Sequence, residues 1–490
     1  MAELEVKLCV PEAAVPSLRA ALRAHRARTT RMQATYFDTA DGALARAGVA
    51  LRLRLEGRRW MQTLKAAGAG AVHRQEHEVR VPGPASPMPA LDIARHDGSE
   101  AASALHAALH DAPAPALIER HGTDVARLRC ALRDARGTEI EVALDTGQVR
   151  AGALSAPLCE LELEHKAGPV QGVFDLAGAW IEHGGLWLCT TTKAARGERL
   201  SSASAAPPPT RARGTGLAAD ADGPTLLRAL LQSALEHVLA NVSDLAEGVN
   251  ALETIHQARV GLRRLRTVLR ELAALSPAIA PQWDGALSAA FARLGELRDD
   301  EVCALAVRPL LQAVSAPLLA WRPRGQADPM ATARDPAFQR TLVALLALAH
   351  AGDEHFAALS PAATRDWLAQ RLGGLHRQVT RDGRRFHRLP LERQHRVRKR
   401  LKRLRYLAEL TLDLWPEDAA RRYLKRLGAA QDALGHHNDV AVAAAAFRAE
   451  AAERPAAWFA AGYLEAHLAV TARVARKVLV KVAQADEFWT

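Results

Sequence analysis

Charged and apolar residues alternate along almost every extended stretch of the first 200 residues, and that alternation leaves few folds open. Glu3-Leu4-Glu5-Val6-Lys7 sets the pattern. On a strand, residues i, i+2 and i+4 share a face, so Glu3, Glu5 and Lys7 point one way and Leu4, Val6 and Leu8 the other. Same-face neighbours stand about 7 Å apart, close enough for two carboxylates to share a hard cation while the ammonium beyond them holds an anion. Strands of this kind are expected at Gln33–Asp38, Val49–Leu55, Arg59–Lys65, Gln75–Val81, Asp124–Leu132, Glu139–Leu144 and Pro157–His165. Helices are expected over 12–27, 99–110 and 170–183. Many antiparallel strands with few helices predict a barrel or a sandwich.

The charged faces segregate by sign. Arg52 and Arg54 share a face, as do Met61, Thr63 and Lys65 with Arg59, and Arg127 with Arg129. Glu139 and Glu141 lead to Asp145, and Glu160, Glu162 and Glu164 form one acidic row. A sheet with a solvated outer face would show charge without this sorting. A closed barrel with a charged lumen accounts for it: basic residues inside hold phosphates and clustered carboxylates hold a divalent metal.

At 490 residues the chain is too long for one ordinary core, so two or more domains are expected. Cys9, Cys130, Cys159, Cys189 and Cys303 have no CxxC spacing and read as reduced thiols of a cytoplasmic protein. No signal-peptide pattern opens the chain, and no apolar run is long enough to span a bilayer. The net charge of +11 is uneven: residues 1–210 hold 25 Lys and Arg against 24 Asp and Glu, so nearly all the excess lies beyond them and should attract a polyanion.

Ser201–Pro224 is a linker by composition. Beyond it the period becomes helical, and the sequence repeats. His256, Arg259, Leu262, Arg263, Leu265 and Arg266 are echoed by His395, Arg398, Leu401, Lys402, Leu404 and Arg405, a shift of 139. Leu294-Gly295 and Asp299 return as Leu434-Gly435 and Asp439, a shift of 140. Two similar helical bundles follow from that. At 100° per residue each copy carries a basic stripe within an arc of about 80°, beside a leucine stripe.

The set Glu3-x-Glu5-x-Lys7, Tyr36-Phe37-Asp38-Thr39, Leu51-Arg52-Leu53-Arg54, Thr63-Leu64-Lys65 and Cys159-Glu160-Leu161-Glu162-Leu163-Glu164 resembles the CYTH family, the triphosphate tunnel metalloenzymes, as does Thr192-Lys193 through Gly197. The resemblance implies an eight-stranded antiparallel tunnel that hydrolyses inorganic triphosphate or thiamine triphosphate or, in a few members, cyclises ATP. It also implies that Glu3, Glu5 and any of Glu160, Glu162 and Glu164 bind Mg²⁺ or Mn²⁺. Lys7, Arg52, Arg54, Lys65, Arg127, Arg129 and Lys193 would hold the triphosphate, with Glu3, Glu5, Lys7, Arg52, Arg54 and Lys65 serving catalysis.

The histidine-led basic helices resemble the CHAD family, the conserved-histidine α-helical domain. That resemblance implies two pseudo-symmetric four-helix bundles that bind inorganic polyphosphate through His256, Arg259, Arg263, Arg266, His395, Arg398, Lys402 and Arg405. The expected architecture is thus multidomain α+β: a tunnel over 1–203, a linker over 204–221 and a helical domain over 222–485. The expected function is a metal-dependent inorganic triphosphatase, cytoplasmic and associated with polyphosphate granules, with triphosphate and polyphosphate as partners and no membrane. A non-catalytic granule protein and a thiamine triphosphatase or adenylate cyclase are the alternatives. Nucleic acid is not expected as a specific ligand, because only 4% of the chain is aromatic and the stripes lack interleaved stacking residues.

Overall fold

A computed structural model describes residues 2–68, 72–110, 117–202, 207–317 and 327–489, with the side chains at 2, 3, 67, 73, 74 and 297–302 left out. The chain divides into two compact units. The first holds residues 1–210 together with 239–254 and 333–351, and the second holds 211–238, 255–332 and 352–490.

Nine strands build the first unit: β1 Ala2–Cys9, β2 Arg28–Asp38, β3 Ala50–Glu56, β4 Arg59–Ala67, β5 His73–Val81, β6 Ile118–Arg133, β7 Glu139–Ala151, β8 Leu154–Ala167 and β9 Trp187–Leu188. The sheet runs β5-β4-β3-β2-β6-β7-β8-β1-β9, all described pairs antiparallel. It closes because β1 uses both edges: Glu5–Cys9 pair with β8, and Ala2–Leu4 pair with β5. The eight long strands therefore form a barrel, with β9 added beside Leu8 and Cys9.

The alternation is realised as a sorted wall. Val6, Leu8, Leu161 and Leu163 are wholly buried on the outer face, where α4 (Gln171–Gly184) packs on β1 and β8 with Val173, Phe174, Ala177 and Ile181 inward. Leu51 and Leu64 meet Leu105 of α3 (Ala102–His110) and Leu44 of α2 (Ala43–Arg46) in the same way. Elsewhere α1 (Val15–Ala24) lies against β6. Several strands run longer than the alternation predicts. Arg28–Arg31, Gly122 and Arg150 extend β2, β6 and β7 where both faces are polar and the period is lost, yet the ladder continues. The interior is charged along its middle and apolar at one end, where Met32, Val125, Val149 and Leu158 pack with Leu200 of α5 (Lys193–Ser201).

The remaining helices are α6 (Gly223–Ala246), α7 (Leu252–Glu271), α8 (Trp283–Gln312), α9 (Pro329–Ala333), α10 (Pro336–Ala349), α11 (Pro361–Gly383), α12 (Leu391–Leu410), α13 (Glu417–Glu450) and α14 (Ala457–Ala483). α10 belongs to the first unit, against α4 and β9. In the second unit α11, α12, α13 and α14 pack as a four-helix bundle. The repeat is visible in the bounds: α7 and α12 have equal length and are offset by the same 139 residues at each end. Arg263 donates to the Tyr406 hydroxyl at 3.0 Å, Arg264 reaches Glu409 at 3.3 Å and Arg403 reaches Glu271 at 2.8 Å. Arg264 and Arg403 are repeat equivalents, so each helix ties itself to the last turn of the other.

Candidate active site

Among the described side chains, the middle residues of the charged rows predicted from the alternation face the inside of the barrel, and the register brings them together. Glu5 stands opposite Glu164, and Lys7 opposite Glu162. Asp145 stands opposite Glu160 on one side and Arg127 on the other. Arg52 pairs with Thr63, Thr63 with Glu78, and Lys65 with Glu76. A cavity of about 350 Å³ opens between them, lined among others by Glu5, Arg54, Lys65, Arg127, Arg129, Glu162 and Glu164.

Asp145, Glu160 and Glu162 form the acidic centre, each offering a carboxylate oxygen within 4.8 Å of the others. Asp145 and Glu160 are wholly buried. The Lys193 ammonium lies 2.7 Å from Asp145 and 2.7 Å from Glu162 and also contacts Glu160. Thr192 positions it by capping α5, its side chain accepting from the Ala195 N–H at 2.9 Å. Lys7 reaches Glu160 at 3.3 Å, Glu162 at 3.2 Å and Glu5 at 3.8 Å. Arg127 holds Asp145 with two hydrogen bonds and touches Glu162. Glu5 Oε1 and Glu160 Oε2 are buried with no hydrogen-bond partner among the described residues.

Burial opposes charge at Lys7, Lys193, Asp145 and Glu162, and the neighbours outweigh it. Lys193 is held well above the usual lysine range by Asp145, Glu160 and Glu162. Lys7 is held above it by Glu160 and Glu162. Glu162 is pulled well below the usual carboxylate range by Lys193, Arg127 and Lys7, and Asp145 is lowered by Lys193 and Arg127.

Across the barrel Arg54 contacts Glu56 and lies 2.7 Å from Glu78, and Lys65 contacts Glu76. Arg52 is buried and donates to the Tyr36 hydroxyl at 3.1 Å, and Tyr36 stacks on His121 with ring centroids 4.7 Å apart. Arg129 lies at the rim, 60% exposed, 3.4 Å from Glu141. Glu164 is paired with Lys166. Glu3 lies on β1 opposite Arg74, but its side chain falls outside the described residues.

Four residues escaped the sequence-based site list. Asp145 was seen only as the end of the Glu139–Glu141 strand, because Ala143 interrupts the charge between Glu141 and Asp145. Glu76 and Glu78 alternate as the rows require and are the carboxylates facing Lys65 and Arg54. Tyr36 has no charge to signal it.

In the second unit the two basic stripes converge across α7 and α12. Lys402 is depressed to about 6, by burial and by Arg398, Arg263 and Arg259, with Asp439 opposing. Arg259 is buried, donates to the Gly295 carbonyl at 3.3 Å and lies over the Phe291 ring at 4.6 Å. The ends of the stripes are occupied: Arg266 bonds Asp284 at 2.7 Å, and Arg405 bonds Glu409 at 2.6 Å. The second pair is an i,i+4 pair, so the stripe does meet an acidic partner on its own helix. His395 is exposed, with Nδ1 3.2 Å from Asn438 Oδ1, and His256 is half-buried. The side chains of Arg298 and Asp299 lie outside the described residues.

Residues 1–197 match the CYTH domain family, and residues 229–448 match the CHAD domain family. An inorganic triphosphatase of Haemophilus influenzae is 29% identical over 171 residues, which is 34% of this chain and 45% of that protein. The chain therefore aligns with less than half of this curated relative. Among solved structures, the CHAD domain of Ricinus communis is 29% identical with a TM-score of 0.44, covering 56% of this chain and 96% of that one. A Hippeastrum protein, described as a candidate adenylyl cyclase with a dominant triphosphatase activity, is 19% identical with a TM-score of 0.27, covering 38% and 89%. Among the described residues no helix is long and apolar enough to cross a membrane.

Proposed function

We propose that this chain, which carries a CYTH domain over residues 1–197 and a CHAD domain over residues 229–448, is a metal-dependent inorganic triphosphatase whose helical domain binds polyphosphate. The observation that carries the reading is the enclosed set Asp145, Glu160 and Glu162, ringed by Lys7, Arg127 and Lys193. A structural ion-pair network has no need of so many buried charges, which cost several kcal/mol each to desolvate. A site that handles a polyanion and a cation together does.

The donor set fits a hard divalent ion. All donors are carboxylate oxygens, they converge, and Glu160 Oε2 is buried without a hydrogen-bond partner among the described residues. Asp145, Glu160 and Glu162 would hold it, with Glu164 on the same face. A divalent ion such as Mg²⁺ or Mn²⁺ held there would supply charge neutralisation for the phosphate oxygens. The protein's own groups do the rest. Arg52, Arg54 and Lys65 grip one part of the triphosphate, and Arg127, Lys7 and Lys193 the other. Arginine forks fix the direction of the phosphates and the ammonium groups balance charge. Arg54, Lys65, Arg127, Lys7 and Lys193 each exchange a carboxylate for a phosphate oxygen, and Arg52 exchanges the Tyr36 hydroxyl. Glu5, whose Oε1 is also buried without such a partner, orients the attacking water and takes its proton. Because phosphoryl transfer demands positioning and electrostatic stabilisation more than covalent help, this inventory is sufficient.

The polyphosphate reading rests on the crowd around Lys402. Four cations from two helices face one another there, and a chain of closely spaced anions relieves their repulsion.

The test is phosphate release from triphosphate, ATP, thiamine triphosphate and long-chain polyphosphate, with Mg²⁺ or Mn²⁺ and with EDTA. Metal-dependent release, fastest with triphosphate, is expected. Release that survives EDTA sinks the metal role, and no release from any of the four leaves a binding protein.

A further inference from the structure

Below the closing seam of the barrel lies a buried group that the phosphate chemistry does not use. Cys9 ends β1, and Cys189 follows the last residue of β9. Both are buried, 6% and 5% exposed. Leu8 pairs with Leu188 and Cys9 with Trp187, and the Cys189 N–H donates to the Lys7 carbonyl at 2.9 Å. The two cysteines are thus diagonal neighbours on one face of the β1–β9 ladder. Their sulfurs and a Glu247 carboxylate oxygen all lie within 4.8 Å of one another. Arg196 stands in the middle, its Nη2 at 3.2 Å from Cys9 Sγ, 3.1 Å from Cys189 Sγ and 2.8 Å from Glu247 Oε1. A guanidinium beside both sulfurs favours thiolate, which suits the cluster to sulfur chemistry. A cavity of about 20 Å³ touches Cys189 as well as Glu5 and Lys7 of the tunnel wall. It has room for one water-sized molecule.

We propose that Cys9 and Cys189 are a peroxide-responsive dithiol that closes to a reversible disulfide. The two sulfurs have unequal roles. The small cavity is lined by Cys189, and Arg196 Nη2 stands 3.1 Å from its sulfur, so Cys189 is the thiol that peroxide reaches and Cys9, 3.2 Å from the same guanidinium nitrogen, is the resolving thiol. The Cys189 thiolate attacks one oxygen of hydrogen peroxide, the O–O bond breaks, and the departing hydroxide takes up a proton as water. Cys189 is then a sulfenic acid. Cys9 attacks that sulfur, the S–O bond breaks, and the hydroxide leaves with the Cys9 proton as a second water. Two thiols and one peroxide give one disulfide and two waters, the sulfurs losing two electrons and the peroxide gaining them.

The bond acts on the site through the backbone. Diagonal strand neighbours stand about 7–8 Å apart, and a disulfide brings its Cα atoms to about 5.5–6 Å. Cys9 is fixed between β8 and β9, so Cys189 moves. It is joined by three threonines to Lys193, the residue that contacts the acidic centre.

The experiment treats the full chain with equimolar hydrogen peroxide, blocks remaining thiols with iodoacetamide, and maps peptides without reduction. The expected result is one cross-linked pair holding Cys9 and Cys189, lighter by two hydrogens and released by dithiothreitol. The variant carrying Cys130→Ser, Cys159→Ser and Cys303→Ser keeps only the two proposed thiols and should lose the same mass. Alkylation of Cys9 and Cys189 after peroxide, or a cross-link through Cys159, would overturn the proposal. Zinc retained through dialysis by the untreated protein, with no cross-link on peroxide treatment, would also overturn it in favour of a metal site.

Discussion

The Lys193 ammonium touches Asp145, Glu160 and Glu162 at once, and the cations around Asp145 and Glu162 hold both below their ordinary values despite burial. The signs of the shifts fix a pH window. Asp145 and Glu162 lie below their ordinary values, so their contribution to stability is present above about pH 4 and is lost as pH falls through the folded values. Lys7 and Lys193 lie above theirs, so their contribution is present below about pH 10 and is lost as pH rises through the folded values. Lys193→Met should raise the pKa of Asp145 and Glu162 and move the acid loss of stability to higher pH. Thermal unfolding across pH 3–8 checks this, and an unmoved acid limb would show that Arg127 and Lys7 suffice. Glu160→Gln keeps the shape of the acidic centre and removes one charge. It should lower triphosphate hydrolysis by about 10²–10³, the usual effect of losing one transition-state stabiliser, with little change in melting temperature. At this scale the sequence was informative wherever charge repeats every second residue, as at Glu5 and Lys7 or Glu160 and Glu162. It was not where the row is interrupted, as at Ala143 before Asp145, or where the group is uncharged, as at Tyr36.

Element geometry decides how firmly Lys193 is held. A Cβ at Gly197 of α5 would stand 1.9 Å from His121 Cδ2, so α5 seats against β6 only because glycine occurs there. His121 is kept neutral, down to about 4, by burial, and it stacks on the Tyr36 ring whose hydroxyl accepts from Arg52. Gly197→Ala should therefore cost about 1–3 kcal/mol from overpacking and raise KM for triphosphate through Arg52 and Lys193. Wild-type kinetics with a lowered melting temperature would confine the effect to stability. The helical repeat makes a second prediction. Its 139-residue shift placed α7 and α12 as equivalents, and the periodicity placed their leucines inward. Which basic residues keep acidic partners was not legible, because Asp284 lies on another helix and Glu409 lies one turn past the motif. Arg263 and Lys402, which crowd together where the two helices meet, should dominate polyphosphate binding. Arg263→Ala and Lys402→Ala should each weaken it and flatten its salt dependence, since each neutralised phosphate releases counterions. Arg266→Ala and Arg405→Ala should do less. Lys402 lies near 6, so binding should take up a proton at pH 7 and tighten as pH falls toward 6. Equal affinity for duplex DNA in competition would mark the surface as generically basic.

On the scale of the whole molecule, the units are interleaved along the chain. The change of period near residue 200 separates strands from helices, yet residues 239–254 and 333–351 of the helical region belong to the compact unit that holds the barrel. Periodicity reports which face of a segment is buried and not what buries it, so this division was invisible in the sequence. The contacts are specific. The Leu188 N–H donates to Gln339 Oε1 at 2.9 Å, the Thr190 N–H to Ser243 Oγ at 3.1 Å, and Arg199 to Asp244 at 2.7 Å. α10 covers α4 and β9, and Leu342, Leu345 and Leu346 on it are at most 2% exposed. Cutting the chain in the proline-rich stretch before residue 210 should therefore injure the barrel, although the cut falls between the two domains that composition marks out. A fragment of residues 1–205 loses the cover of α4, and each fully buried leucine it forgoes is worth about 1.5–3 kcal/mol. For a unit of this size the melting temperature should fall by about 10 °C or more. Adding metal and triphosphate, which bind only the folded form, should recover part of that loss by mass action. Calorimetry of the fragment beside the full chain decides it: a fragment that melts with the full chain would show that the barrel is complete without residues 239–254 and 333–351.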